Sequence, residues 1–209
     1  MKKLTCPTYD MDLVRTLSSR VTAATAASIW KQTGGKPGAL KASMTELLFI
    51  AQSNRCAYCG SRFFEKYPAR DHIAPKDPYY QWTFWPENLV LACFACNTDR
   101  KKIYNPVITP AAIYKNTTFN FVHPFLDDPT RHIKFTGHRL KILISASGSS
   151  SKGQNTIDLF DLANAERSKQ RAKDALMDQD VDHLHGKWKR LFELLISSPF
   201  SERLVMKMF

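Results

Sequence analysis

The sequence predicts an α+β fold in which a small module, held together by four cysteines, lies between two helical extensions. Three observations predict this fold. Four of the five cysteines form two Cys-x-x-Cys pairs, Cys56/Cys59 and Cys93/Cys96. Stretches with helical periodicity lie on both sides of these pairs. Alternating apolar residues after position 132 predict a small β-hairpin in the C-terminal half.

The composition is that of a folded protein outside the membrane. The chain has 209 residues, of which 44% are hydrophobic and 23% charged, so wholesale disorder is excluded. Its longest apolar run, Leu89–Cys96, is far shorter than the roughly 20 residues that span a bilayer. Lys2 and Lys3 are followed by no apolar stretch, so the start does not resemble a secretory signal. We therefore expect a cytoplasmic protein with reduced thiols and no membrane partner.

The charge favours a polyanionic partner. Thirty Lys and Arg residues against nineteen Asp and Glu residues give a formal net charge of +11. Each basic side chain that contacts a phosphate releases counterions, which makes nucleic acid the natural partner. The alternative is a soluble basic protein whose charge has no such role.

The first 45 residues form a basic, helical N-terminal segment in this interpretation. Asp12 to Lys31 reads as one or two helices, and Gly34 to Gly38 reads as a break. Ser43 to Glu46 has the pattern of a capping box before an apolar run. A helix is therefore predicted to lead from there into the first cysteine pair, within a second region at residues 46–104.

The remaining elements are assigned from the same signals. Between the cysteine pairs, 69–74 reads as extended, 75–85 as a loop and 87–102 as helical. In the C-terminal region, residues 105–209, Thr109-Pro110 suits the start of a short helix. A hairpin is predicted over 132–145, a loop over 147–153 and a helical stretch over 164–197.

The two cysteine pairs predict a structural zinc site. In a reducing compartment, two Cys-x-x-Cys turns present four thiolates to one tetrahedral Zn²⁺. Two disulfides or four buried thiols are the alternatives, and the spacing and the compartment argue against both. A site with four cysteine ligands leaves no open position, so this zinc is expected to stabilise the fold without catalysing a reaction. Cys6 is interpreted as an ordinary small apolar residue.

A set of polar residues lies between and just after the cysteine pairs. Two residues separate Asp71-His72 from Pro75, Asn88-Leu89 precedes the second pair, and Asn97 follows it directly. This order resembles the HNH nucleases, the ββα-metal family, over about Cys56 to Lys102. The resemblance implies a ββα module framed by the zinc site and an enzyme that hydrolyses phosphodiester bonds.

The resemblance also implies a role for each of these residues. His72 would be the general base, since neutral imidazole can take a proton from water at neutral pH. Asp71 and Asn97 would bind a catalytic Mg²⁺ or Mn²⁺ through hard oxygen atoms. Asn88 would fix the intervening loop and orient His72. Three basic residues of the following helix would hold flanking phosphates: Arg100, Lys101 and Lys102.

A second resemblance covers most of the chain after Cys56. The stretches 121–133 and 153–162, followed by a basic helix with Arg167 and Arg171, are similar to the PtuB-like HNH effectors of bacterial Septu and retron anti-phage systems. This resemblance implies a partner, an ABC/SMC-type ATPase, joined in some systems by a retron reverse transcriptase and its DNA product. It implies a defence nuclease, with DNA favoured over tRNA or other RNA as substrate.

Four alternatives remain open at this stage. The chain could be a zinc-stabilised nucleic-acid-binding module without catalysis, or a protein-interaction scaffold. Asp127, Asp128 and His132 could bind a further metal, although a turn followed by a strand explains them more simply. The apolar face of residues 187–196 suits core packing, with docking onto the ATPase as the alternative.

Overall fold

The computed structural model describes residues 3–63, 68–138 and 141–177. The chain divides into two compact units, Met1–Asp174 and Ala175–Phe209. The predicted C-terminal helix at residues 187–196 lies outside the described residues. Among the described helices, none combines the length and the apolar character that crossing a membrane requires.

Three helices form the N-terminal part. They are α1 (Met11–Ser18), α2 (Ala26–Lys31) and α3 (Gly35–Ala51), so the prediction of one or two helices over 12–31 is confirmed as two. The predicted start of α3 is wrong, because the helix begins at Gly35 and not after Ser43. The segment read as a break is its first turn, where proline is tolerated because the first N–H groups lack helical partners.

The centre of the chain is a β-β-helix unit. Strand β1 (Ala69–His72) pairs antiparallel with β2 (Leu89–Ala92), with Asp71 opposite Val90 and His72 opposite Leu89. A π-helical segment, Ala95–Lys101, follows. The prediction of a helix from 87 to 102 is therefore wrong in its first half. Residues 89–92 are buried on both faces, and such a continuous apolar run looks the same for a strand and for a buried helix.

The C-terminal half adds two further hairpins and two helices. Strands β3 (Val107–Thr109) and β4 (Thr118–Phe119) pair, so Thr109 ends a strand and the predicted helix start there is wrong. The predicted hairpin is confirmed as β5 (Ile133–His138) with β6 (Lys141–Ala146). Helix α4 (Ser151–Leu159) begins inside the predicted loop. The described part of the predicted final helix is α5 (Ala165–Met177).

One hydrophobic core joins these parts of the first unit. It includes residues of α1 and α3, the whole of β2 and the aromatic residues that follow β4. Tyr58, between the first two cysteines, stacks on Phe160 with ring centroids 4.3 Å apart and meets Phe121 edge-on at 5.9 Å. The segment after the cysteine module is therefore packed against it, which determines the surroundings of the polar residues.

Candidate functional site

The four paired cysteines converge on one point. Their sulfur atoms all lie within 4.8 Å of one another, and Sγ of Cys59 is 3.8 Å from Sγ of Cys93. Four sulfurs at about 2.3 Å from a tetrahedral zinc ion are about 3.8 Å apart, so the cluster fits zinc. The four residues predicted as zinc ligands thus form the one cluster of metal-binding geometry among the described residues.

Backbone and side-chain donors support this cluster. The Cys93 N–H donates to Sγ of Cys56 at 3.3 Å, and the positive charge of Arg167, on α5, interacts with the Cys59 sulfur, which raises the pKa of Arg167 against the effect of burial. Hydrogen bonds from Cys56 and the other two cysteines hold the pKa of Cys59 well below that of a free thiol. Burial raises the pKa of Cys56, and hydrogen bonds with the other cysteines raise the pKa of Cys96, so a bound cation is needed to hold all four sulfurs as thiolates, the form that binds zinc.

His72 lies at the end of β1 with 8% of its surface exposed. Its Nε2 lies 2.9 Å from the carbonyl oxygen of Thr83. Because a carbonyl can only accept, Nε2 carries the proton and Nδ1 keeps the basic lone pair. Burial lowers the pKa of His72 to about 3, while the Thr83 hydrogen bond acts in the opposite direction. The ring also meets Trp30 of α2 with centroids 4.3 Å apart.

Asp71 is buried, and both oxygen atoms of its carboxylate have partners. Its carboxylate accepts a short hydrogen bond from the Tyr58 hydroxyl, and the Lys101 ammonium lies 3.2 Å from Oδ2. Burial raises the pKa of Asp71, and the positive charge of Lys101 opposes that rise. Lys101 is only 2% exposed and also donates to the carbonyl oxygen of His72 at 2.6 Å. Its ammonium is thus inside the protein, not at the surface where the predicted phosphate contact would require it.

Asn88 ties the loop between β1 and β2. It is fully buried; its Oδ1 accepts from the Ala74 N–H at 2.7 Å, and its Nδ2 donates to the carbonyls of Ala74 and Trp82 at 3.1 Å. Trp82 precedes Thr83, the residue that holds the His72 ring. The loop-fixing geometry predicted for Asn88 is therefore present, and its link to His72 runs through the backbone.

Two further buried residues extend this network beyond the cysteine module. The Tyr114 hydroxyl donates to Oδ1 of Asn88 at 2.9 Å and lies 2.9 Å from Nε2 of His123. Nδ1 of His123 accepts from the N–H groups of Phe125 and Leu126, so its proton must be on Nε2 and point to Tyr114. Burial lowers the pKa of His123 to about 3. Sequence reasoning missed both residues. The one signal for them in the sequence was the position of His123 among aromatic residues.

The other predicted site residues lie on the π-helical segment or just after it. Asn97 is half-buried and lies four residues before Lys101. Arg100 and Lys102 are exposed, and the Arg100 guanidinium pairs with Asp161 at 2.7 Å. The structure thus joins Asp71, His72 and Asn88 through Lys101 and the connecting loop, and it leaves the two exposed basic side chains outside that network.

The acidic pair after the module has structural partners. Asp127 accepts from the His123 N–H at 2.7 Å and pairs with Lys152 at 2.9 Å. Asp128 accepts from the Thr130 N–H, and Nδ1 of His132 meets Oγ of Ser150 at 2.8 Å. The simpler interpretation, a turn leading into a strand, is confirmed.

Comparison with known proteins agrees with this geometry. Residues 56–102 match the family model described as HNH endonuclease. Over 154 residues the chain is 28% identical to the Septu protein PtuB of Bacillus mycoides (strain KBAB4). That match covers 63% of this chain and 50% of the relative, so the chain spans about half the length of the curated relative it matches. Residues 56–102 thus match the HNH endonuclease family model, and the chain is similar to a PtuB protein over 63% of its length.

Proposed function

We propose that this HNH, PtuB-like chain is a metal-dependent endonuclease that acts as the effector of an anti-phage defence complex in the cytoplasm. The observation that carries the proposal is the state of His72. Its Nε2 proton is committed to Thr83, which leaves a neutral imidazole with Nδ1 available as a base. What distinguishes His72 from the buried structural histidine His123 is its place beside Asp71 within the residues that match the HNH endonuclease model.

In the proposed reaction, Nδ1 of His72 removes a proton from a water molecule as the oxygen attacks phosphorus. One phosphorus–oxygen bond forms, another breaks, and the leaving oxygen takes a proton from solvent. The Thr83 carbonyl stabilises the imidazolium that forms, because it accepts a hydrogen bond from the charged ring. A substrate phosphate beside the ring would raise the low pKa of His72, since opposite charge favours the imidazolium.

Asp71 and Asn97 are the proposed ligands of the catalytic Mg²⁺ or Mn²⁺. The donor set fits the chemistry of such an ion, because both side chains offer hard oxygen atoms. The bound ion would supply positive charge for the negative charge that develops on the phosphate. Asn88 would hold the loop that positions His72 throughout the reaction.

The substrate is proposed to be DNA in preference to tRNA or other RNA. The net charge of +11 suits either polyanion. Arg100 and Lys102, which are exposed, are the proposed phosphate contacts beside the site. Such contacts position a backbone without reading sequence, so we propose that specificity comes from elsewhere in the complex.

The proposed partner is an ABC/SMC-type ATPase of the same defence system. The name of the relative, a Septu protein, supports a Septu context, with a retron complex that includes a reverse transcriptase as the second possibility. A nuclease that cut freely would damage its own host. We therefore expect little cleavage by the chain alone and much more in the presence of its ATPase.

The proposal is tested by cleavage of labelled plasmid and of total tRNA with Mg²⁺ or Mn²⁺. Wild type and His72→Ala are compared, each with and without the product of the neighbouring ATPase gene. Cleavage that requires His72 supports the proposal, and the substrate that disappears distinguishes DNA from RNA. If zinc-loaded wild type and His72→Ala bind nucleic acid equally in a salt-dependent way and neither cuts in any mixture, the non-catalytic binding module replaces it.

A further inference from the structure

Lys101 is the most unusual residue of the site. Lysine is almost never fully buried unless it is paired, yet this side chain is 2% exposed. Its ammonium lies 3.3 Å from Oδ1 and 3.2 Å from Oδ2 of Asp71, and 2.6 Å from the carbonyl oxygen of His72. Three oxygen atoms of the two adjacent motif residues thus surround one positive charge.

The shape of the helix brings this charge to Asp71. The segment Ala95–Lys101 has π-helical bonds, such as the one from the Lys102 N–H to the Asn97 carbonyl five residues earlier. Asn97 and Lys101 are therefore about one turn apart and share one side of the segment. Lys102 then adopts a left-handed conformation with φ of 48° and ends the helix. The cation of Lys101 consequently lies next to the two residues proposed as metal ligands.

The Asp71 carboxylate has little capacity left for a second cation. One oxygen already accepts from the Tyr58 hydroxyl, and both oxygens face Lys101. A divalent ion at the same carboxylate would sit within a few ångströms of the ammonium, in surroundings that screen charge poorly. Repulsion between the two cations would then oppose metal binding for as long as Lys101 stayed in place.

We infer that Lys101 is the resident counter-ion of Asp71 and competes with the divalent metal for it. In this role Lys101 is a positioning residue that sets the metal affinity of the site, and it is not a phosphate ligand. The inference rests on the proposed function, because it takes Asp71 as a metal ligand. It accounts for the buried ammonium, which a helix-end phosphate contact does not.

The test measures Mn²⁺ binding to the zinc-loaded full chain at a fixed pH, by electron paramagnetic resonance without any substrate. Lys101→Gln is expected to bind Mn²⁺ at least about tenfold more tightly than wild type, because the competing charge is gone. Lys102→Gln is the matched control, because Lys102 is next to Lys101 in the sequence but is exposed. The Mn²⁺ affinity of this variant should be within about twofold of wild type. Asp71→Asn should abolish the tight binding in both backgrounds.

An unchanged or weaker Mn²⁺ affinity in Lys101→Gln would overturn the inference. If that variant fails to fold, the wild type gives a second test by nuclear magnetic resonance of the lysine ¹⁵Nζ groups. The buried Lys101 ammonium should give a protected signal that disappears as Mg²⁺ saturates the site, whereas its persistence with metal bound would contradict competition. Both measurements need no cleavage, so their outcome is separate from whether the chain is a nuclease.

Discussion

The HNH module and the segments packed around it contribute differently to the same site. Within residues 56–102, motif positions supply the groups that we propose react or bind metal, and their spacing in the sequence identifies them. The surrounding segments supply Trp30 against His72, Tyr114 against Asn88 and Arg167 against Cys59. These contacts come from before and after the module and follow no recognisable motif.

The module therefore supplies the proposed reactive groups, and the surrounding segments hold these groups in position. His72 and the cysteines could react or bind in any exposed loop, but their protonation states would then be those of free side chains. Burial by the surrounding segments holds His72 neutral, and the Tyr114–His123 pair fixes the orientation of the Asn88 amide. The following predictions test this division, from the largest expected effect to the smallest.

Loss of one zinc ligand should have the largest effect. Cys93→Ser removes a thiolate from a site whose zinc binding is coupled to folding, so we expect loss of bound zinc and a fall in the free energy of unfolding of several kcal/mol. Metal analysis and thermal unfolding by circular dichroism measure this. Cys6→Ser is the control, since Cys6 lies outside the cluster, and it should retain its zinc. Retained zinc in Cys93→Ser would contradict the four-cysteine site.

Tyr114→Phe should destabilise the fold without loss of zinc. The variant leaves the Nε2–H of buried His123 without its acceptor and removes one donor from Asn88. A buried polar group without a partner costs about 1–3 kcal/mol, measurable by urea unfolding. Tyr80→Phe, at a partly exposed ring, is the matched control and should cost less than about 0.5 kcal/mol. If the two changes lowered the free energy of unfolding equally, the hydrogen bonds of Tyr114 would not stabilise the fold.

His123 should make stability depend on pH. Its pKa is about 3 when folded, against about 6.5 in an unfolded chain, so the unfolded state binds more protons between these values. The stabilising contribution is complete above pH 6.5 and declines as the pH falls toward 3, by up to about 1.4 kcal/mol per pH unit. His123→Asn keeps an acceptor and cannot titrate, so its unfolding free energy should fall less steeply from pH 6.5 to 5. Parallel curves for the two proteins would contradict a buried neutral His123.

Arg167 should have the smallest effect, on zinc retention. Its guanidinium, on α5, interacts with the Cys59 sulfur, and removal of such a supporting interaction around a metal ligand weakens metal sites by about tenfold or more. We expect Arg167→Gln to release zinc to a chelator about tenfold faster, followed with a coloured zinc indicator. Lys169→Gln, an exposed lysine on the same helix, should release zinc at the wild-type rate. No difference between the variants would mean that α5 does not protect the cluster.

The sequence predicts the module better than its surroundings, because the module depends on short motifs and the surroundings depend on packing between separate segments. Cys56 and Cys93 belong to short-range patterns, and a metal ligand or a base allows few substitutes. The hairpin at β5 and β6 was predictable because alternate residues such as Ile133 and Ile144 are buried. Strand β2 was not, since burial on both faces removes the alternation.

The role of Lys101 could not be read from the sequence for a related reason. In the run Arg100–Lys102 all three residues carry the same charge, and the local pattern does not show which of them is buried. The π-helical geometry, which arises from packing, turns the middle one inward and leaves the outer two exposed. Tyr114 was missed because its partner Asn88 lies 26 positions earlier in the sequence, and His123 was missed because its partners belong to no recognisable motif.

The measurement that tests the central claim most directly is the single-turnover cleavage rate of His72→Ala in the activated complex. The protein must contain the same zinc as wild type and unfold at a similar temperature, so that only the imidazole differs. We predict a rate at least about 100-fold below that of wild type, the range expected on removal of a general base. An unchanged rate from folded, zinc-loaded His72→Ala would show that His72 is not the base and that the HNH site does not cut.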